Sequence, residues 1–329
     1  MTVQRSRSRR VPFTLLTLIG QRLLAGLLML LVVSAIIFTG IQLLPGNPAS
    51  AILGQTATPQ AVAALNQQLG LDQPAIGRWF GWLSGVLQGD FGRSFSTREP
   101  IGPVLAERLS NSLALAGLTA LFAVPLSLLV GFTCARWQGR WPDRLLNLFT
   151  RSTVSLPEFF SGYLLIAVFA IGLAWLPSNS SVSSGMSAGD RLLAMALPCL
   201  TLTLAVLGHM SNMTRAALVN AQNAAWVDTA LLKGLSPGAV LFRHVLPNAW
   251  GPIINVMVIN LAWLMVGVVI VENVFVYPGL GQYLVDSISK RDMPVIQDCA
   301  LLLAAIYILL NLLADVVALL ANPRLLHGR

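Results

Sequence analysis

The chain has 329 residues, of which 55% are apolar and only 10% are charged, and its net charge is +8. Soluble domains carry about 25% charged residues, so this shortage, with a mean hydropathy of +0.72, indicates an integral membrane protein. The arginines do not gather in one patch with interleaved aromatic residues, so nucleic acid is not an expected partner. The three cysteines form no C-x-x-C pair and predict neither a disulfide framework nor a metal site.

Six apolar segments are long enough to cross the hydrocarbon core as helices, which takes about 20 residues each. They cover residues 23–44, 111–134, 154–176, 192–213, 253–275 and 299–321. The first follows a basic segment, residues 1–22, and could be mistaken for a signal peptide. Its apolar run is too long for one, which favours an uncleaved anchor. The sequence therefore predicts an all-α integral membrane protein, with one transmembrane domain over residues 23–329.

The basic residues predict the orientation, because Lys and Arg accumulate in the cytoplasmic loops of membrane proteins. With the N-terminus inside, 14 of the 21 basic residues fall in cytoplasmic segments and seven in outer segments. Both termini are therefore predicted to be cytoplasmic. Residues 45–110 then form a periplasmic segment and residues 214–252 a cytoplasmic loop. In the periplasmic segment, Thr58 and Pro59 predict the N-cap and first turn of a short amphipathic helix.

The cytoplasmic loop has the sequence pattern of two helices joined by a tight corner. Residues 216–233 contain no Pro or Gly and predict the first helix, and Gly234 supplies the left-handed residue that ends it. Ser236 and Pro237 predict the N-cap and first position of a second helix, which is expected to end near Pro247. From these signals alone, a docking site and a plain linker are both possible functions for the loop.

The loop resembles the EAA motif, E-A-A-x3-G-x9-I-x-L-P, of membrane subunits of bacterial ATP-binding-cassette (ABC) importers. Asp228, Thr229 and His244 replace the Glu, the first Ala and the Ile of that pattern. The stretches "QLLPGNPA", "GDFGRSF", "VENVFVYPGLG" and "NPRL" also resemble the first permease subunit of dipeptide and oligopeptide importers. The resemblance implies that the following residues couple the chain to an ATPase: Ala224, Ala225, Asp228, Thr229, Ala230, Lys233, Gly234, Leu246 and Pro247.

This resemblance also implies a fold, a set of partners and a cellular location. The fold is the type I importer permease, with a cytoplasmic coupling helix that lies in a groove of an ATPase subunit. The implied partners are a second homologous permease, two ATPase subunits that use ATP and Mg, an extracytoplasmic solute-binding protein and the bacterial inner membrane. The chain itself is expected to bind no cofactor. The implied substrates are dipeptides or oligopeptides, with nickel chelates, glutathione, opines or oligosaccharides as alternatives.

Polar residues inside the predicted spans are candidates for the wall of a translocation path, because such groups rarely face lipid. These candidates are Thr201, Gly208 and Asn212 in the fourth span and Asn255 and Asn260 in the fifth. Small and amide residues also serve in helix packing, and for the fourth span the two interpretations are equally supported. His209 is better explained by packing than by a proton relay, and Asp315 by a structural role.

The segment after the fifth span is a candidate outer gate or docking site for the binding protein. Its residues are Glu272, Asn273, Pro278, Gly279 and Gly281. Pro278 and the two glycines predict a tight turn. The resemblance places this turn near the pore mouth, whereas its local sequence is equally that of a plain loop.

No motif in the chain indicates an enzyme. There is no G-x-x-x-x-G-K-[ST] loop to hold ATP and no H-E-x-x-H zinc motif, so the energy source is expected in a partner. The competing function is an ATP-independent transporter or channel, which predicts internal repeats, broken spans or paired charges within the membrane. A membrane scaffold or receptor is a third possible class of function, but it would not need the polar residues inside the predicted spans.

Overall fold

The computed structural model describes residues 10–43, 46–183 and 185–321, and this part of the chain contains helices and no strand. Its helices are α1 (Arg10–Gln42), α2 (Pro48–Leu53), α3 (Pro59–Gln68), α4 (Ala75–Leu87), α5 (Ile101–Arg136), α6 (Trp141–Ser155), α7 (Glu158–Leu165), α8 (Ala188–Gln222), α9 (Ala225–Leu232), α10 (Pro237–Val240), α11 (Leu246–Val274), α12 (Leu280–Lys290) and α13 (Met293–Ala321). Two π-helical segments, Ile166–Gly172 and Leu241–Val245, continue α7 and α10.

The bundle is organised around α8, which packs against α5, α6 and α11. On the far side of α11 lies α13, and α1 packs on the outer side of α13. The main apolar core joins α5, α8 and α11 and includes Leu115, Leu202 and Val268. Because α8 carries the largest buried share of the candidate spans, it forms the centre of the bundle, whereas α1 and α13 expose most of their apolar surface.

Five helices of the described chain are long and apolar enough to cross a membrane, and a bent pair of helices would make a sixth. The pair is α6 with α7 and its π-helical continuation, and the two arms meet at 106°. The third span predicted over residues 154–176 contains α7 and its π-helical continuation, and the bend lies near its beginning. Pro157 causes the break, because a proline restricts the preceding residue to extended backbone, and Leu156 has φ −94° and ψ 128°.

The prediction of a helix that begins at Thr58 is confirmed. The Thr58 hydroxyl accepts a hydrogen bond from the Ala61 amide at 3.2 Å, and Pro59 occupies the first turn of α3. Helices α3, α4 and α12 lie at the end of the bundle where α5 and α13 begin. Trp82 on α4 donates to the Asp298 carboxylate on α13 at 2.8 Å, which fixes α4 against the bundle.

Candidate functional site

Residues 223–245, here called the hairpin, form a compact unit at the end of the bundle where α5 and α8 finish. The structure corrects both helices predicted for this loop. The first is interrupted at Asn223 and Ala224, where Ala224 has extended backbone, so α8 ends at Gln222 and α9 is only eight residues long. The second does not end near Pro247. It continues as one helix over Pro237–Val274, and the π-helical segment Leu241–Val245 directly before Pro247 changes the hydrogen-bond register where the proline lacks its N–H.

The corner between α9 and α10 has the predicted geometry. Gly234 has φ +82°, and its amide and that of Leu235 bond back to the carbonyls of Leu231 and Ala230, which completes a Schellman C-cap. The Ser236 hydroxyl accepts from the Ala239 amide at 3.3 Å as the N-cap of α10. Residues 234–238, Gly-Leu-Ser-Pro-Gly, also match the G-x-S-x-G pattern of hydrolase nucleophiles. That pattern requires a turn from a strand into a helix, whereas here a capping serine joins two helices.

The inner face of the hairpin is fixed to the bundle by apolar packing. Val227 and Ala230 on α9 are buried in one cluster with Leu218 of α8 and Ala135 of α5. Phe242 packs on Phe132 of α5, with ring centroids 5.2 Å apart. The hairpin therefore contacts α5 and α8 as well as leading directly into α11.

The outer face of the hairpin is exposed and mixed in character. Leu232 is 88% exposed and Trp226 is 39% exposed. The predicted coupling residues Asp228, Thr229 and Lys233 are exposed beside them. The other predicted coupling residues differ: Ala225, Gly234 and Pro247 are exposed, Ala224 and Leu246 are half-buried, and Ala230 is buried. The small residue Ala230 thus serves the contact with the bundle rather than an outer contact.

An ion pair holds the bundle together next to the hairpin. Arg215 on α8 donates to both carboxylate oxygens of Asp143 on α6, from Nε at 2.8 Å and from Nη2 at 2.9 Å. The Gly139 amide donates to the same carboxylate at 2.8 Å. Since Asp143 is buried and Arg215 lies seven residues before the end of α8, the pair ties α6 to the base of the hairpin.

A cleft of about 380 Å³ opens between the α6–α7 break, α8 and α11. Asn260 is its central polar residue. The Asn260 side chain donates to the Val256 carbonyl at 2.7 Å, and its Oδ1 lies 3.1 Å from Nδ1 of His209. Trp263 also lines the cleft and is 68% exposed. Asn260 lies about 20 Å along α11 from Leu246, at 1.5 Å per residue, so the cleft is near the middle of the bundle.

The predicted path residues divide between this cleft and helix packing. Asn260 lines the cleft, and Asn255 is exposed on α11 outside the cleft lining. On α8, Gly208 lies against α6, where an added Cβ would be 2.5 Å from the Thr150 carbonyl oxygen. Asn212 Oδ1 accepts from the Thr150 hydroxyl at 3.3 Å, and the buried Thr201 hydroxyl donates to the Leu197 carbonyl. In this structure the polar candidates of α8, which are Thr201, Gly208 and Asn212, therefore serve helix packing.

At the opposite end of the bundle, Glu272 organises the segment that follows α11. Its carboxylate accepts from the Gly281 amide at 2.7 Å, from the Gln282 amide at 3.2 Å and from the Ser112 hydroxyl of α5. An added Cβ at Gly279 would lie 1.9 Å from Oε1 of Glu272, so this position requires glycine. The Gly281 amide belongs to the first turn of α12, where a carboxylate also interacts favourably with the helix dipole.

This burial changes the interpretation of the predicted outer gate. Glu272, Gly279 and Gly281 are buried, so in this conformation they cannot touch a docked protein, whereas Asn273 and Pro278 are half-buried. The residue with left-handed backbone in the turn is Val276, whose φ is +53°. Pro278 and the glycines of this turn do not have left-handed backbone. Tyr277 is also buried and donates to the Asn111 carbonyl at 3.0 Å, and burial raises the pKa of its hydroxyl to about 12.

Sequence patterns did not reveal a second buried carboxylate at this end. Asp292 accepts from the amides of Phe95 and Ser96 and from the hydroxyls of Ser94 and Ser96, and so fixes the "GDFGRSF" loop. Its partners lie almost 200 residues away along the chain, and no local pattern predicts that contact. At the hairpin end, Asp315 pairs with Arg22 at 2.6 Å and joins α13 to α1, in agreement with its predicted structural role.

A bundle of apolar helices with a central polar cleft and a rigid polar hairpin at one end defines the membrane-embedded subunit of a transporter. The family model described as "Binding-protein-dependent transport system inner membrane component" matches residues 124–327, and the model of that family's N-terminal part matches residues 15–116. The chain belongs to this family. It is a multi-pass inner-membrane permease of an ABC importer, of the same type as the permeases of dipeptide and oligopeptide importers.

Similar proteins cover nearly the whole chain. A probable peptide ABC transporter permease of Sinorhizobium fredii is 37% identical over 305 residues, which is 93% of this chain and 97% of that protein. The glutathione transport system permease of Escherichia coli is 38% identical over 309 residues, or 94% of this chain and 98% of that protein. Among solved structures, the MetNI methionine ABC transporter aligns with 68% of this chain and 99% of its own, with a TM-score of 0.56 and 16% identity, and shares the type I fold.

Proposed function

We propose that this chain forms half of the translocation pathway of an ATP-driven importer and that its hairpin receives the force of ATP hydrolysis. In this arrangement the hairpin and both termini are cytoplasmic, as the distribution of basic residues predicts. Helices α3, α4 and α12 lie on the periplasmic side. The partners are two ATPase subunits that use ATP and Mg, a second homologous permease and a solute-binding protein.

One observation carries this proposal. The second arm of the hairpin and the helix that lines the cleft are the same continuous helix, Pro237–Val274. A force on the hairpin is therefore transmitted along this helix to Asn260 and Trp263, past the π-helical segment Leu241–Val245 and Pro252, where its regular hydrogen bonds are interrupted. The packing of Val227 and Ala230 on α5 and α8 means that these two helices move with it. Packed elements of this kind convert a local displacement into a rigid-body rotation.

The exposed face of the hairpin suits a protein partner. Leu232 and Trp226 supply apolar area, and Asp228 and Lys233 supply charges of opposite sign at its edge. Exposed ion pairs add about 0–1 kcal/mol each, so the charges would fix the register of docking more than its strength. The aromatic and aliphatic residues would supply most of the affinity.

The cleft is one wall of the proposed pathway, and the second permease would supply the facing wall. Peptides are the substrate class that we propose, since the relatives include a probable peptide permease and a glutathione permease. Nickel chelates, opines and oligosaccharides are the alternatives within the same class of importer. The binding protein selects among them before the substrate reaches this chain.

The test is coupling in the complete transporter, assembled in proteoliposomes from this chain, two ATPase subunits, the second permease and the solute-binding protein. Asp228→Arg and Gly234→Pro are expected to lower ATP hydrolysis stimulated by loaded binding protein about 10-fold or more, with membrane insertion unchanged. Asp72→Arg is the control for the charge reversal, because Asp72 is exposed at the opposite end of the bundle. Since that end faces the binding protein, the affinity for the binding protein is measured in the same variant. Normal coupling in both hairpin variants would contradict the proposal.

An ATP-independent transporter is the second candidate, and the broken α6–α7 pair is the observation in its favour. Uptake separates the two functions. If the chain assembles without an ATPase, and if uptake continues when ATP is depleted but a proton gradient remains, this second function is correct.

A further inference from the structure

Glu158 places a carboxylate in the wall of the cleft, near the middle of the bundle. It lies in the first turn of α7, directly after the break at Pro157. Its Oε2 atom is buried and has no hydrogen-bond partner within the described residues. Carboxylates are rare inside membrane proteins, because an ionised group without a partner is costly there, and those that occur mark ligand or ion pathways. Glu158 is therefore a candidate for contact with a ligand.

The bundle leaves space for this carboxylate. Gly267 on α11 lies directly against it, and an added Cβ at that position would be 2.8 Å from Oε2 and 3.0 Å from Oε1. Glu158 is thus accommodated as a carboxylate but has no counter-charge. Among the described residues that line the cleft, it is the only acidic one, and none is Lys or Arg.

The other cleft residues favour an organic cation over a metal ion. Trp263 lines the same cleft and is largely exposed, and an indole face attracts ammonium groups through the cation–π interaction. Asn260 and His209 add polar atoms that are already hydrogen-bonded to each other. Thr153 also lines the cleft, but its hydroxyl donates to the Thr150 carbonyl, and the remaining lining is aliphatic. One carboxylate with these few neutral oxygens is too poor in oxygen ligands for a hard metal cation.

We infer that this cleft holds a binding site for an ammonium group of the transported solute, with Glu158 as its counter-ion and Trp263 as its aromatic wall. The inference rests on the proposed function and narrows its substrate class. Peptides with a free amino terminus carry the required charge. Neutral oligosaccharides do not, so the site separates two of the substrate classes that the sequence leaves open.

The inference is tested by equilibrium dialysis of radiolabelled probes against the complete transporter in lipid nanodiscs, without nucleotide or binding protein. The probes are alanyl-alanine and lactyl-alanine, in which a hydroxyl replaces the ammonium group and little else changes. The wild-type transporter is expected to bind alanyl-alanine about 10-fold more tightly, as befits a charge-assisted hydrogen bond. In Glu158→Gln this preference is expected to fall to about 2-fold or less.

Two further variants keep the result interpretable. Glu107→Gln removes an exposed carboxylate of α5 and should keep the full preference. Trp263→Leu changes a side chain that is 68% exposed. It should weaken the binding of alanyl-alanine about 3-fold and leave the binding of lactyl-alanine unchanged. This variant replaces Glu158→Gln if the latter does not assemble. A wild-type transporter without the preference, or a Glu158→Gln transporter that retains it in full, would overturn the inference. Coupling to ATP hydrolysis is measured in a separate experiment, so a failure of the proposed function can be distinguished from a failure of this inference.

Discussion

Arg215 and Asp143 form a bidentate ion pair between α8 and α6, with donor–acceptor distances of 2.8 and 2.9 Å. The pair lies where the bundle meets the hairpin, and its carboxylate also receives the Gly139 amide of the α5–α6 connection. It therefore joins α8, α6 and the α5–α6 connection at the point where we propose that force enters the membrane.

Asp143→Asn should weaken this junction. The amide leaves the partly buried Arg215 without a counter-charge, so the free energy of unfolding should fall by about 1–3 kcal/mol. Thermal unfolding of the purified transporter measures the change. The double variant Asp143→Asn with Arg215→Gln should recover much of the loss, because no unpaired charge remains. If the single variant is as stable as the wild type, the ion pair does not hold the junction.

Gly234→Ala tests the hairpin corner at a position with open space around it. No atom would touch the new Cβ, so its effect comes from the φ of +82° alone, and a cost of about 1 kcal/mol is expected. We expect a small loss of thermal stability and a several-fold loss of ATPase stimulation. The matched control is Gly238→Ala, which lies in helical backbone with equally open surroundings and should be neutral. Equal behaviour of the two variants would show that the corner does not need a left-handed residue.

Gly279→Ala should be far more damaging than an ordinary glycine substitution. Its Cβ would overlap the Glu272 carboxylate, which is fixed by the Gly281 amide and by Ser112 of α5, so neither side can move freely. We expect a loss of about 3 kcal/mol or failure to accumulate in the membrane. Gly117→Ala on α5, where an added Cβ meets no atom, should accumulate normally. The yield of folded protein on size-exclusion chromatography compares the two.

Gly208→Ala distinguishes packing from a role in the translocation path. Its Cβ would approach the Thr150 carbonyl oxygen to 2.5 Å and Thr153 Oγ1 to 2.6 Å, so α6 must separate from α8. A packing role predicts a stability loss of about 1–3 kcal/mol. A path role predicts unchanged thermal stability with altered transport kinetics. Thermal unfolding and uptake measured on the same preparation decide between them.

Local sequence signals predicted the parts of the fold that depend on neighbouring residues. Thr58 with Pro59 and Ser236 with Pro237 each mark a helix start that the structure confirms, because a capping hydroxyl and a first-turn proline act within one turn. Pro157 is a local signal for the break between α6 and α7, but the span prediction rests on the apolar run alone. The apolar run of residues 154–176 suggested one helix, but length and hydropathy contain no information about a bend.

Contacts between distant segments could not be predicted in this way. The resemblance makes Glu272 a candidate for an outer gate or docking site, whereas its partners on α5 and α12 bury it in this structure. No local pattern marks Asp292 as a buried carboxylate, because its hydrogen-bond donors lie near residue 95. In both cases a carboxylate satisfies backbone amides of another segment, and a sequence does not show which amides will be left unpaired.

The sequence by itself determined the class of protein, the predicted spans and orientation, and the place and corner of the hairpin, because hydropathy, charge and capping are properties of short segments. The tertiary structure decided that the hairpin and the cleft share one helix, that the polar stripe of α8 packs on α6, and that Glu158 faces the cleft. These features arise where separate helices meet, and their energies depend on distances across the bundle that no local pattern encodes.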